Sequence, residues 1–117
     1  MPDTTTTLAV LKDAVRQFAA ERDWEQFHSP KNLVMGMAIE TAELMEHFLW
    51  VDCAASQEVG QDPAKRPDIA DEMADVAVYL LNLSNVLGID LSEAILAKID
   101  KNAAKYPAEK FRGRWTR

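Results

Sequence analysis

Two pairs of carboxylates, Glu40 with Glu43 and Glu72 with Asp75, stand inside two strongly apolar stretches of the chain. A spacing of three residues puts both members of a pair on one face of an α-helix. The two stretches are long enough to lie antiparallel, so all four acidic groups can converge. Gathered beside a core, they repel one another unless something positive sits between them. A hard divalent cation held by oxygen ligands, Mg²⁺ above all, satisfies that requirement.

The flanking residues sharpen the point. Between Pro30 and Trp50 apolar residues cover most of a helical wheel, leaving one strip with Glu40, Glu43 and His47. Between Asp68 and Leu81 the strip holds Asp68, Glu72, Asp75 and Tyr79. Helices apolar nearly all round are normally buried. Charges at helical spacing ordinarily mark a solvated face, but two such pairs in two apolar helices favour a metal site. A carboxylate-bridged di-iron bundle adds a Glu-x-x-His motif. Here His47 follows Glu43 by four residues and the second pair has no histidine, so the all-oxygen set suits Mg²⁺ or Mn²⁺ better than iron.

At 117 residues the chain is one domain with a modest core. Its apolar share, 48%, is high for a few helices and implies surface buried between subunits of a homo-oligomer. A net charge of −6 argues against a nucleic-acid groove. More than half of the 13 basic residues lie between Lys98 and Arg117, a distribution suited to polyphosphate or simply to solvent. Cys53 is alone, which excludes an intrachain disulfide and fits a reducing, cytoplasmic setting. No secretory or membrane-spanning run is expected.

Strand patterning is absent, so an all-α architecture of four main helices is predicted, bundled around the second and third. Residues 1–7 read as a flexible N-terminus, 8–107 as the folded domain and 108–117 as a C-terminal tail. Thr6 or Thr7 caps a first helix from Leu8 to Glu21. An aromatic-rich link, Arg22 to Ser29, leads to Ser29-Pro30, a helix start, and a second helix reaching Trp50. Asp52 to Arg66, with Gly60 and Pro63, reads as a loop. The third helix spans Pro67 to Leu87 and is stopped by Gly88. Asp90 or Ser92 opens a fourth that reaches Lys105 and ends before Pro107.

Two further groups can carry chemistry. Lys98 and Asn102 stand one turn apart, with Tyr106 beyond, and offer a point charge and an amide to anionic oxygens. Trp24 and His28, spaced as neighbours on a turn, and Trp50 offer faces and an edge donor to a planar base, although core packing explains them equally well. Taken together, these features describe a nucleotide-phosphate site on an all-α scaffold.

The quartet, with 28 residues between its halves, resembles the E-x-x-E…E-x-x-D signature of the all-α NTP pyrophosphohydrolases, the MazG-like superfamily. The block from Phe18 to Leu33, with Trp24 and His28, is similar to the N-terminal block of the dCTP pyrophosphatases. So are Glu40 to Trp50, Asp71 to Leu80, and Lys98 to Pro107; the resemblance spans about Leu11 to Pro107. It implies a MazG-like helical bundle that hydrolyses a deoxynucleoside triphosphate to its monophosphate and pyrophosphate with Mg²⁺, Mn²⁺ substituting. It further implies metal coordination by Glu40, Glu43, Glu72 and Asp75, with Glu40 or Glu43 also orienting the attacking water. Lys98, Asn102 and Tyr106 match phosphate-contacting positions, and Trp24, His28, Trp50 and Tyr79 match the base-and-sugar pocket. Such proteins are dimers paired into tetramers, with sites that draw on more than one subunit. One departure stands out: vertebrate dCTP pyrophosphatases carry a histidine on the first helix where this chain has Val15, so a broader base preference is expected. A non-catalytic nucleotide-binding or oligomerisation module, a dUTPase and a phosphoribosyl-ATP pyrophosphohydrolase are the competing readings.

Overall fold

Polar side chains set where the helices begin. In the computed structural model, which describes residues 1–115, Thr7 accepts a hydrogen bond from the Val10 amide and opens α1, Leu8–Glu21. Ser29 Oγ accepts from the Asn32 amide at 3.2 Å and, with Pro30 in the first turn, opens α2, Pro30–Glu46. Asp52 Oδ1 accepts from the Ala55 amide at 2.8 Å and opens α3, Cys53–Gln61. The long α4, Arg66–Leu87, is followed by Asp90, whose Oδ1 takes the Glu93 amide at 2.9 Å and starts α5, Leu91–Lys105. A short α6, Ala108–Phe111, comes last. No strand occurs among the described residues.

Two helices end in the same way with different residues. At the end of α4, Gly88 takes a φ of 65° while the Ile89 amide donates to Ser84 O at 3.0 Å and the Gly88 amide to Asn85 O at 3.3 Å. That pair of bonds is a Schellman motif, and glycine adopts its left-handed residue without strain. At the end of α1 the left-handed residue is Asp23, with a φ of 54°. There the Trp24 amide donates to Ala19 O at 3.0 Å and the Asp23 amide to Ala20 O at 3.1 Å. Aspartate is one of the few side chains that visit this conformation. Gln26 Nε2 braces it by donating to the Asp23 carbonyl and carboxylate. The chain then makes a 3-10 turn over Glu25–Phe27, and Asn32 Nδ2 ties that turn to α2 by donating to Phe27 O at 3.0 Å.

Packing centres on α4. It lies along α2, and α1 and α3 pack against it in turn. Gly36 meets Tyr79 while Glu40 and Glu43 meet Glu72, so α2 and α4 run antiparallel, as the carboxylate pattern predicts. The buried apolar side chains are few: Ala19, Leu33, Ile69 and Leu81. Lys12 Nζ donates to Ile89 O at 3.0 Å and pins α1 to the α4–α5 turn. From there α5 leaves at 103° to α4 and packs extensively on none of the other helices.

Three expectations need correction. The stretch read as a loop, 52–66, contains α3, because Gly60 and Pro63 fall at its end and beyond it rather than inside it, and Asp52 supplies the cap. The second helix stops at Glu46 instead of Trp50, since the His47 and Phe48 amides bond back three residues, to Leu44 O and Met45 O. The tail read as 108–117 holds α6, whose Phe111 meets Tyr106 edge-on at 5.2 Å; residues 116–117 lie outside the described part. Near the start, the Thr5 and Thr6 amides both bond Pro2 O, so the N-terminal stretch forms a turn.

Apolar surface is abundant. Val34, Met35, Ile39 and Met45 of α2, Met73 of α4, and Leu96 and Ile99 of α5 are all exposed. The accessible surface is 9313 Å², against about 6,400 Å² for a compact monomer of this mass. The radius of gyration, 17.1 Å, likewise exceeds the roughly 13 Å of a globular chain of this length. No single helix among the described residues is long and apolar enough to cross a membrane.

Candidate active site

The facing strips of α2 and α4 bring the carboxylates together. One oxygen each from Glu40, Glu43 and Glu72 lies within 4.8 Å of the others. Glu43 is exposed, while Glu40 and Glu72 are half-buried. Glu40 Oε2 and Glu72 Oε2 are fully buried and have no hydrogen-bond partner. Neither ion pair found among the described residues involves this cluster. Burial, then the Glu43 carboxylate and then the charge of Asp75 raise the Glu40 pKa from the ordinary 4.5 to about 7. Glu72 is raised as well, by burial first and then by Glu43. Orphaned, buried anionic oxygens in an all-oxygen set fit a hard divalent cation, which supplies the missing positive partner.

Next to the cluster lies a cavity of about 470 Å³. Glu40 and Asp75 stand on its wall with Trp24, His28, Tyr79, Asn82 and, from α1, Val15 and Phe18. A second hollow, about 330 Å³, adjoins it and shares Trp24, His28 and Tyr79. The end of α1 explains how Trp24 reaches this place. In a Schellman motif the residue after the left-handed one packs back on the last turn, and Trp24 does so against Phe18, edge-on at 5.7 Å and 71°. The Arg22 guanidinium covers the Phe18 ring at 3.6 Å.

Tyr79 depends on an absence. A Cβ on Gly36 would overlap its ring, lying 2.6 Å from Cζ. Glycine in mid-helix costs about 1 kcal/mol relative to alanine, and here it lets the phenol lie across α2 one turn before Glu40.

Of the residues singled out in the sequence, Trp24, His28, Tyr79, Glu40 and Asp75 share one cavity, and Glu43 and Glu72 complete the cluster beside it. Trp50 does not join them; it follows α2 in a turn and is 90% exposed. Lys98 and Asn102 on α5, and Tyr106 at its end, line none of the hollows around the cluster, since α5 swings away. Sequence reasoning missed Asn82 and Gly36. Asn82 was findable, because Glu72, Asp75, Tyr79 and Asn82 continue one stripe at spacings of three, four and three.

A MazG-like family model matches residues 36–115, which includes both carboxylate pairs. The chain belongs to the MazG-like family. Rat dCTP pyrophosphatase 1 (Rattus norvegicus) is 38% identical over 107 residues, covering 92% of this chain and 63% of that protein. The human protein of the same name (Homo sapiens) is 40% identical over 102 residues, 87% of this chain and 60% of its own length. This MazG-like chain therefore spans less than two thirds of the curated relatives it matches. A solved pyrophosphatase from Archaeoglobus fulgidus superposes with a TM-score of 0.81 at 36% identity, covering 92% of this chain and 98% of that one. The resemblance to the pyrophosphohydrolases is thus borne out at the level of family and fold.

The raised Glu40 pKa gives a signed test. Between pH 4.5 and about 7 the folded chain holds a proton on Glu40 that the unfolded chain has released. Glu40 therefore costs stability increasingly as pH rises through that window, with Glu43, Glu72 and Asp75 facing it. Without divalent metal, Glu40→Gln should melt higher than the wild type above neutral pH, and the advantage should vanish towards pH 4.5. Mg²⁺ or Mn²⁺ should raise the wild-type melting temperature and not that of the variant. Equal melting of the two proteins at all pH values, by circular dichroism, would contradict the electrostatic account.

Gly36→Ala should destabilise the wild type by about 1–3 kcal/mol through overlap with Tyr79. In a Tyr79→Ala background the same change should stabilise, by up to about 1 kcal/mol, because only helix propensity remains. Urea denaturation of the four proteins measures the change of sign.

Proposed function

We propose that the chain hydrolyses deoxynucleoside triphosphates, dCTP together with its 5-substituted forms or other dNTPs, to the monophosphate and pyrophosphate. The cofactor is Mg²⁺, with Mn²⁺ able to substitute, and the setting is a reducing cytoplasm. The observation that carries this reading is the pair of buried, partnerless oxygens on Glu40 and Glu72 beside a cavity walled by Trp24, His28 and Tyr79. Likeness to proteins named dCTP pyrophosphatase 1 and to an archaeal pyrophosphatase supports it.

Glu40, Glu43, Glu72 and Asp75 hold the metal. When bound, the cation offsets charge on the triphosphate oxygens and makes water more acidic. Glu40 or Glu43 also orients the attacking water. Trp24 stacks on the base, and His28 and Tyr79 border the sugar and the base edge. Phosphoryl chemistry of this kind needs positioning and electrostatic stabilisation rather than a covalent nucleophile, which accords with Cys53 lying on α3, outside the site. Val15, standing where vertebrate relatives have histidine, offers the base no polar contact, so the preference for cytosine is relaxed.

The active form is a homo-oligomer, a dimer of dimers. The roughly 2,900 Å² of surface beyond that of a compact monomer is enough for two interfaces of ordinary size per chain. In that assembly Lys98, Asn102 and Tyr106 reach the phosphates of a neighbouring copy's site, and Trp50 closes over a base, since neither group meets the cavity within one chain.

Pyrophosphate release with Mg²⁺ across the four dNTPs, the four NTPs, dUTP and 5-methyl-dCTP tests the activity. Turnover should concentrate on deoxynucleotides, and Glu43→Gln and Asp75→Asn should abolish it while leaving the helical circular dichroism intact. Binding without release by the wild type would mean a non-catalytic nucleotide-binding module. Light scattering should give a mass near four times 13.1 kDa, and a monomer at micromolar concentration would remove the oligomer from the proposal.

A further inference from the structure

We propose that Asn82 reads the edge of the base through its side-chain amide, accepting 4-amino and 4-oxo pyrimidines alike; this rests on the nucleotide-hydrolysing reading above. Asn82 is only 9% exposed, making it one of two buried polar residues among those described, the other being Ser84. Ser84 is satisfied, donating to Leu81 O at 2.8 Å. The Asn82 amide has no side-chain hydrogen bond to any described residue, yet it lines the 470 Å³ cavity beside Trp24, His28 and Tyr79.

The next asparagine supplies the contrast. Asn85 is tied at both ends: its Oδ1 accepts from Arg16 Nη2 at 2.9 Å, and its Nδ2 donates to Lys12 O at 3.0 Å. That side chain is a structural link between α1 and α4. Asn82, more deeply buried, is left with a free acceptor and two free donors. The buried side-chain atoms without partners among the described residues belong to Glu40 and Glu72, so the unbonded Asn82 amide keeps an opening onto the cavity it lines, where a ligand edge carrying adjacent donor and acceptor groups can meet it.

Position agrees with chemistry. Asn82 continues the stripe of Glu72, Asp75 and Tyr79, and seven residues of helix place it about 10 Å beyond Asp75, comparable to the length of a nucleoside. With the phosphates at the carboxylates, the base edge falls at Asn82. A cytosine edge offers an amino donor beside a ring acceptor, and a uracil or thymine edge offers the reverse. An amide reads either in bidentate fashion by rotating through a half-turn. Because no side-chain hydrogen bond among the described residues fixes the Asn82 amide, both orientations are open to it, and the apolar Val15 on the same cavity adds no preference.

Equilibrium binding of nucleosides, followed by tryptophan fluorescence without metal, tests this apart from hydrolysis. The probes are deoxycytidine, deoxyuridine and the 2-pyrimidinone deoxynucleoside that lacks a 4-substituent. Wild type should bind the first two within about tenfold of each other, and the third on the order of 10- to 100-fold more weakly. Asn82→Leu should reduce the first two to the level of the third. Asn82→Asp, nearly the same shape but acceptor-only, should weaken deoxycytidine and deoxyuridine alike, since each edge then sets its one acceptor against a carboxylate oxygen. Equal weakening of all three nucleosides by both variants, or none, would show a packing role and overturn the proposal. Strong wild-type preference for one natural base would overturn its second half. Asn82-dependent selectivity in a protein that releases no pyrophosphate would sink the hydrolytic reading alone. Intact release with selectivity indifferent to Asn82 would sink this inference alone.

Discussion

Everything around the site depends on one electrostatic constraint: α2 and α4 are pressed together along a seam that contains like charges. Helix pairs ordinarily bury apolar stripes against each other, and the buried apolar side chains these two supply are Leu33 on α2 and Ile69 and Leu81 on α4. Between those residues the seam carries Glu40, Glu43 and Glu72, two of them with oxygens cut off from water. The helices stay in register because their apolar contacts outweigh the repulsion, and protonation relieves part of it, as the high pKa of Glu40 records. Carboxylates held this close are a set that a cation fits, since binding would replace repulsion by attraction.

Around that seam the remaining parts are arranged by local chain chemistry. A left-handed aspartate ends α1 and folds Trp24 back to face the cavity. A glycine on α2 makes room for Tyr79. An unbonded amide stands at the far end of the same stripe as the acidic groups. Aromatic, amide and carboxylate groups thus come from α1, the 3-10 turn, α2 and α4, all of them elements that touch α4 or its partner.

The parts legible in the sequence are those that local rules decide. Caps at Thr7, Ser29 and Asp90 and the stop at Gly88 marked helix boundaries to within a residue or so, because each residue acts on its own turn. The carboxylate pairs announced a shared face through period alone. Asp52 to Arg66 misled because Gly60 and Pro63 carry the same chemistry whether they interrupt a helix or follow one, and only the cap at Asp52 distinguishes the cases. Asn82 was passed over because an asparagine on a helix ordinarily faces water. Its burial is created by α1 crossing α4, a tertiary fact. Lys98, Asn102, Tyr106 and Trp50 could be picked out by type, but α5 and the turn after α2 carry them away from the carboxylates, which no local rule foretells.

The contact between Gly36 and Tyr79 acts as a gauge. It lies one turn from Glu40 on α2 and one turn from Asp75 on α4, so the same interhelical gap sets both how deeply the phenol enters the cavity and how far apart the carboxylates stand. The acidic half of the site and its aromatic half therefore share one interhelical contact. A substitution that moves this contact therefore disturbs the acidic and the aromatic groups together.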